Sequence, residues 1–196
     1  MSDSSKSGVS RADAEAAVRT LIEWVGEDPD RQGVRRTPTR VIDSFGDWYA
    51  GYQMDPDALL GNSFQSVKDY DRIVTLLDID FASHCEHHMA PFIGRIHLAY
   101  LPDKRLAGIS KLVRVVEAFT KRMQVQERLT AEIAQCIDRA LQPRGVAVIV
   151  EAQHQCMTTR GVNKTRIRMV TDEMLGAFRD DDRIRAEFLH AAGNVR

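Results

Sequence analysis

Two short clusters of cysteine and histidine, far apart in the chain, constrain most strongly how this sequence can fold. The first is Ser83-His84-Cys85-Glu86-His87-His88 and the second is His154-Gln155-Cys156. Each cluster begins where a β-rich segment stops. The C-x-x-H spacing of Cys85 and His88 lets both side chains reach one metal ion from a turn. If the clusters form one site, the ends of two strands must lie together.

The ligand chemistry of the two clusters indicates a zinc ion. Cys85, His88 and Cys156 would supply two thiolates and an imidazole, which are ligands that suit zinc. Three protein ligands leave a fourth position for water, as in catalytic sites, whereas four are typical of structural sites. His87 and His154 then remain as proton carriers, because an imidazole titrates near neutral pH. If the second strand continues beyond His154, the side chains of His154 and Cys156 share one of its faces.

Less specific interpretations of these residues stay open at this point. A structural zinc completed by His84, His87 or His154 would use the same clusters. A histidine-rich turn is also compatible with a solvated loop. The third cysteine, Cys136, lies on the apolar side of a predicted helix, so we expect an inert core thiol there.

The charge balance indicates that any anionic ligand is held locally. Lys plus Arg number 27 and Asp plus Glu number 28, so the formal net charge is −1. This balance argues against binding of nucleic acid or of an anionic membrane through the overall charge of the protein. Basic residues near helix starts or in one stretch free of carboxylates could bind phosphate oxygens: Arg40, Lys111, Arg114, Arg160, Lys164, Arg166 and Arg168. The alternative is a solvated charged face, and neither common glycine-rich phosphate loop is present.

A third candidate group lies in Gln124-Val125-Gln126-Glu127-Arg128-Leu129. Val125 and Leu129 belong to the apolar stripe of a predicted helix, so Gln126 and Glu127 lie off that stripe. A carboxylate beside an amide can pair with the N–H edge of a purine. A solvated helix face is the default alternative for such a pair.

The composition of the chain is that of a cytoplasmic globular protein. No apolar run approaches the roughly 18–20 residues that cross a bilayer, and the polar, Ser-rich N-terminus lacks the apolar core of a secretory signal. Three cysteines are too few for the disulfide framework of a secreted protein. We expect a disordered tail over residues 1–11, an N-terminal helical region over 12–70 and a catalytic domain over 71–196.

The periodicity of apolar residues predicts the order α-α, β-β, α-α, β-β, α. Strands are expected over 73–79, around 96–100, over 146–150 and over 165–171, with Ser83 to Met89 as an interruption. Two hairpin-like pairs separated by helices indicate an α+β domain with an antiparallel sheet.

Taken together, the motifs resemble the GTP cyclohydrolase I family over about residues 15–190. Six separated segments carry the resemblance: Thr37-Pro38-Thr39-Arg40-Val41, Cys85-Glu86-His87-His88, Gly108-Ile109-Ser110-Lys111-Leu112, Gln124-Val125-Gln126-Glu127-Arg128-Leu129, His154-Gln155-Cys156 and Arg160-Gly161-Val162. The resemblance implies the tunnelling fold, or T-fold: a four-stranded antiparallel sheet with two helices on one side, preceded by N-terminal helices. It also implies a homodecamer of two pentamers with sites between subunits.

The resemblance implies a role for each matching residue. Cys85, His88 and Cys156 correspond to zinc ligands, and His87 and His154 to acid/base histidines. Glu127 with Gln126 corresponds to a guanine-binding pair. The remaining matches surround the ribose and the triphosphate, with Arg40 reaching in from a neighbouring subunit: Ser110, Lys111, Arg114, Arg160 and Arg40.

The implied activity is zinc-dependent hydrolysis of GTP at C8, with release of formate and rearrangement to 7,8-dihydroneopterin triphosphate. This is the first step of tetrahydrofolate or pterin biosynthesis and needs no redox cofactor. Three rivals come from other classes: a nitrile reductase of the same fold, a non-catalytic zinc-stabilised oligomer and a nucleic-acid-binding module. A reductase with a Cys nucleophile and a nicotinamide cofactor would not need Cys156 beside a histidine.

Overall fold

The structure of the protein is a computed structural model that describes residues 8–61, 64–65 and 70–193. The chain divides into two compact units, Met1–Tyr49 and Ala50–Arg196. Residues 1–7 of the expected disordered tail lie outside the described residues, and the first helix begins at Arg11. None of the helices in the described part is both long and apolar enough to cross a membrane.

The first unit consists of two helices, α1 (Arg11–Trp24) and α2 (Thr37–Trp48). Helix α1 begins with a capping box: Asp13 N donates to Ser10 Oγ at 3.1 Å, and Ser10 N donates to the Asp13 carboxylate at 3.2 Å. These bonds satisfy amides that an open helix end would leave without partners. The Ser10 hydroxyl also donates to the Asp13 carboxylate at 2.6 Å, and this bond, with the one from Ser10 N, lowers the pKa of Asp13. The apolar residues on one face of α2 are half-buried: Val41, Ile42, Phe45 and Tyr49.

The second unit contains all the strands that the described residues form. They are β1 (Phe64–Gln65), β2 (Val74–Cys85), β3 (Pro91–Leu101), β4 (Arg105–Leu106), β5 (Met123–Gln124), β6 (Gly145–His154) and β7 (Met169–Gly176). Its helices are the 3-10 helix Ala50–Gln53, α3 (Pro56–Leu60), α4 (Ile109–Thr120), α5 (Gln126–Leu141), α6 (Gln155–Thr158), α7 (Ala177–Asp180) and α8 (Asp182–Ala191).

The main sheet has five strands in the order β5-β2-β3-β6-β7. The four long strands pair antiparallel, whereas β5 pairs parallel with the end of β2, with His84 opposite Met123 and Cys85 opposite Gln124. The α+β class is therefore confirmed, but the expected purely antiparallel sheet of four strands is wrong. A two-residue strand between two helices leaves no periodic pattern in the sequence, so β5 could not be predicted.

The alternation of side chains along β6 separates two apolar layers. Val146, Val148 and Val150 pack with residues of α4 and α5 in the larger core, as the spacing of their apolar residues predicts. Ala147 and Ile149 face the other side, where they pack with aromatic residues of α7 and α8. Helices therefore lie on both faces of the sheet, rather than on one side only.

Two strand boundaries differ from those predicted. Strand β2 runs on through the Ser83 region to Cys85, because the expected interruption is a turn that begins only after Cys85. Strand β7 begins at Met169 rather than at residue 165. Residues 160–168 are exposed, and a segment with four basic side chains gains little from joining a half-buried strand.

Candidate active site

The first half of the site is the tight turn that follows β2. Cys85 is the last residue of that strand and is 6% exposed. Its N–H donates to Ala90 O and its carbonyl accepts from Met89 N, both at 2.8 Å, so the chain reverses within a few residues. Met89 takes a left-handed conformation with φ 53° to close the turn. The turn leaves His88 exposed and close to Cys85 in space.

The second half of the site is the end of β6, where the strand gives way to a helical turn. His154 is the last extended residue, and Cys156 lies within the short helix α6. The condition under which His154 and Cys156 would share a strand face, a strand that continues beyond His154, is therefore not met. The helical turn nevertheless brings Cys156 to the first cluster: the ligand atoms of Cys85, His88 and Cys156 all lie within 4.8 Å of one another.

The electrostatics of this group fit a cation. Burial raises the pKa of the Cys156 thiol, and the neighbouring Cys85 raises it further, while Arg160 acts in the opposite direction. Two thiols this close ionise together only when a positive charge compensates them. Two sulfurs and one imidazole nitrogen are donors for zinc and similar transition metals. His84 is not a member of this group; it is buried, and burial lowers its pKa.

His154 is held beside this group by packing and by one hydrogen bond. Its ring stacks on the buried Phe92, with ring centroids 4.6 Å apart and planes 1° apart, because the two residues are register partners on β6 and β3. His154 Nε2 lies 2.9 Å from Gln126 Oε1. Burial lowers the pKa of His154, and the charge of Glu127 partly opposes that shift.

Gln126 and Glu127 form the first turn of α5 but have different surroundings. Gln126 is 1% exposed, and its amide nitrogen lies 3.0 Å from Val150 O and 3.1 Å from Met169 O. Glu127 is exposed and lines a cavity together with His154. The two residues of the predicted purine-binding pair therefore differ in how accessible they are.

A cavity of about 570 Å³ joins these residues, a volume within the usual range for small-molecule sites. Its lining combines the metal-binding group, both candidate acid/base histidines and the start of α5: Cys85, His87, His88, Gln124, Val125, Gln126, Glu127, His154, Cys156, Met157, Ile167, Arg168 and Met169. His87 is 65% exposed there, and its Nδ1 lies 3.8 Å from Cys85 Sγ. One open cavity thus contains residues that could hold a metal ion, two candidate proton carriers and a carboxylate.

Most of the predicted phosphate-binding residues of the second unit do not line this cavity. Arg168 does, whereas the others are not among the lining residues: Lys111, Arg114, Arg160, Lys164 and Arg166. Ser110, Lys111 and Arg114 lie in the first two turns of α4, whose N-cap is Gly108. Arg160 is exposed in the segment after α6, close enough to influence Cys156. Arg40 is exposed on α2, in the first unit. The second unit therefore does not gather the whole predicted basic cluster around its cavity.

Comparison with known proteins agrees with the site. A sequence model of GTP cyclohydrolase I matches residues 14–193. The chain belongs to the GTP cyclohydrolase I family. It is 52% identical to the GTP cyclohydrolase 1 of Maricaulis maris, over 92% of this chain and 88% of that protein. Proteins of the same name from Hyphomonas neptunium (48%, over 95% and 90%) and Brucella abortus (49%, over 87% and 80%) are also similar. The family resemblance predicted from the motifs is confirmed.

Several residues of this family member's site were not singled out from the sequence. Phe92 had no signal beyond its place in an apolar strand. Glu86 and Arg128 stood inside recognised motifs but had no assigned role; they form an ion pair that joins the turn after β2 to α5. Arg128 Nε also donates to Gln124 Oε1 at 3.0 Å, and Glu86 N donates to Gln124 O at 3.0 Å. The turn that carries the candidate metal ligands is thereby fixed to the helix that carries Glu127.

Proposed function

We propose that this GTP cyclohydrolase I family member hydrolyses GTP in the cavity beside Cys85, His88 and Cys156, which would hold a zinc ion. The reaction follows from the family: GTP is converted to 7,8-dihydroneopterin triphosphate. The site has two sulfurs and one imidazole within 4.8 Å of one another. When bound, zinc supplies a Lewis acid that makes water nucleophilic near neutral pH.

His154 and His87 are proposed as the proton carriers of the reaction. His154 is half-buried beside the metal-binding group and held against Phe92, so it can act in a fixed orientation. His87 is exposed on the turn and remains accessible to a ligand in the cavity. Ring opening requires a proton at the purine N7 and the ribose rearrangement requires further transfers, so two imidazoles at different positions are useful. Ser110 is proposed to assist at the ribose.

Glu127 is proposed to recognise the guanine base. Its carboxylate lies in the lining of the cavity, at the start of α5. A carboxylate accepts hydrogen bonds only, so it fits the N1–H and 2-amino donors of guanine. An adenine ring presents no such pair of donors on that edge, which gives a reason for selectivity toward GTP.

The triphosphate is proposed to bind basic residues gathered by assembly: Lys111, Arg114 and Arg160, with Arg40 from a neighbouring subunit. Two observations support this proposal: these residues are basic, and those of the second unit, Lys111, Arg114 and Arg160, do not line its cavity. A T-fold homodecamer with sites between subunits would complete the cluster. We also propose a cytoplasmic location, where GTP is available.

The convergence of Cys85, His88 and Cys156 on the cavity that contains His154 and Glu127 is the observation that carries this proposal. A purely structural zinc would need a fourth protein ligand. The group formed within residues 8–61, 64–65 and 70–193 has three members. A fourth position therefore remains for water.

The test compares three single cysteine variants: Cys85→Ala, Cys156→Ala and the control Cys136→Ala. The first two should each lose at least about tenfold in zinc affinity and lose turnover of GTP, because a ligand is missing. The control removes a buried cysteine outside the site and should keep both. Zinc content by mass spectrometry and formate release are the readouts. Full zinc content and turnover in Cys85→Ala and Cys156→Ala would overturn the proposal.

A further inference from the structure

The amide of Gln126 is oriented by its neighbours in only one way. Its nitrogen lies 3.0 Å from Val150 O and 3.1 Å from Met169 O, and both carbonyls can only accept. An amide turned by 180° would place its oxygen against these two carbonyl oxygens, at 1% side-chain exposure and without water to relieve the repulsion. The nitrogen therefore faces the sheet, and Oε1 faces His154.

A chain of hydroxyls leads independently to the same orientation. Thr130 Oγ1 lies 2.7 Å from the backbone carbonyl of Gln126, which only accepts, so the Thr130 hydroxyl donates there. Thr130 Oγ1 therefore accepts from the Thr171 hydroxyl, at 2.7 Å. Thr171 Oγ1 then has a lone pair for the Gln126 amide nitrogen, at 3.2 Å. The direction of every bond in this ring follows from one backbone carbonyl.

We propose that Gln126 is a positioning residue that holds His154 with its proton on Nε2, and not a ligand of the guanine base. Since Gln126 Oε1 can only accept, His154 Nε2, at 2.9 Å, must be the donor. The nitrogen of His154 that can receive a proton is then Nδ1. This inference rests on the proposed role of His154 as a proton carrier.

The stacking of His154 on Phe92 keeps the imidazole ring in the orientation that this proton assignment requires. A flip of the imidazole about its Cβ–Cγ bond would exchange the positions of its ring atoms and break the bond to Gln126. The parallel contact with Phe92, 0% exposed, fixes the plane of the ring, and the hydrogen bond selects one of the two orientations within that plane. Gln126 and Phe92 together therefore present one defined nitrogen to a bound ligand.

The direct test is neutron diffraction from crystals of the zinc-loaded enzyme after exchange into D₂O. The proposal expects a deuteron on His154 Nε2 and two on the Gln126 nitrogen that faces Val150. A bare His154 Nε2 with a deuteron on Nδ1 alone, or an amide turned the other way, would overturn it. This result does not depend on whether a variant folds.

The kinetic test separates positioning from base recognition. In Gln126→Met, which removes all the polar contacts with little change in volume, kcat should fall by about 10²-fold, a typical loss for acid–base catalysis. The KM for GTP should change by less than about threefold, because the guanine contacts remain. The control Thr171→Val removes one bond to the amide but leaves its contact with His154, and should keep kcat within about threefold.

The ratio of kcat/KM for GTP to that for inosine triphosphate, which lacks the 2-amino group, gives the decisive comparison. Gln126→Met should leave this ratio within about twofold of the wild-type value, and Glu127→Gln should lower it by about tenfold. A ratio lowered by Gln126→Met as strongly as by Glu127→Gln would show that Gln126 reads the base. A ratio unchanged in Glu127→Gln would instead count against the proposed function while leaving the neutron test intact.

Discussion

The three cysteines lie in different chemical surroundings. Cys85 and Cys156 lie within reach of each other and of an imidazole, at the edge of a cavity. Cys136 lies inside the core, where its Sγ donates to Asp57 Oδ1 at 3.5 Å. Burial, reinforced by the charge of Asp57, raises the pKa of Cys136 to about 12. The sequence predicted this division correctly from helix periodicity and cluster spacing alone.

Cys136 should resist alkylation in the native protein. At pH 8 its thiol is fully protonated, because that pH lies far below a pKa of about 12, and the thiolate is the form that reacts. We expect iodoacetamide to leave Cys136 unmodified until denaturant is added, as measured by peptide mass spectrometry. Modification of native Cys136 as fast as in the denatured chain would contradict its assignment as a core thiol.

At the scale of elements, the site depends on the pairing of β2, β3 and β6. Pairing places Phe92 of β3 opposite His154 of β6, and the end of β2 beside them. The sequence predicted these strands because alternating apolar residues have a distinct period. It did not predict that β6 ends at His154 and that a helical turn carries Cys156, since four residues of helix show no periodicity.

Close approach of β3 and β6 at Gly94 is expected to be essential for this pairing. A Cβ at that position would lie 1.8 Å from Glu151 O and 2.7 Å from Ala152 Cα, both backbone atoms that cannot move aside. Gly94→Ala should therefore destabilise the fold by about 1–3 kcal/mol or more. It should also lower turnover, because Phe92 lies two residues away. Thermal unfolding and GTP turnover provide the measurements.

The matched control for this substitution is Gly46→Ala in α2. A Cβ there meets no atom within 4 Å, and alanine favours a helix over glycine by about 0.5–1 kcal/mol. The control should therefore be neutral or slightly stabilising. An unfolding temperature for Gly94→Ala as high as that of the control would show that the two strands need no such close approach.

At the scale of the whole molecule, the cavity contains the candidate metal ligands and proton carriers. It does not contain all the basic residues that are proposed to bind the triphosphate. Arg40 belongs to the first unit, and Lys111 and Arg114 lie on α4 away from the cavity lining. Their positions near helix starts indicated possible phosphate binding, with a solvated charged face as the alternative, and only the resemblance to the family assigned them to a triphosphate. Their contribution therefore depends on the proposed assembly.

Mixed oligomers test that assembly. Arg40→Ala and Cys85→Ala should each be inactive alone. When the two are co-expressed in equal amounts, about a quarter of the sites would combine an intact cavity with a neighbour's Arg40, by random mixing across a heterologous interface. Recovery of about that fraction of wild-type turnover is expected. The particle mass should be about ten times the 22.1 kDa of one chain. No recovery from a mixed oligomer would contradict the sharing of Arg40.

The most direct test of the account is the reaction itself, with and without metal. Purified protein loaded with zinc is incubated with GTP, and formate and the fluorescent pterin formed on oxidation are quantified together. The account predicts equal amounts of both, and neither after the zinc is removed with a chelator. Equal production by the chelated protein, or no production by the intact zinc-loaded protein, would contradict the assignment of Cys85, His88 and Cys156 as a catalytic metal centre.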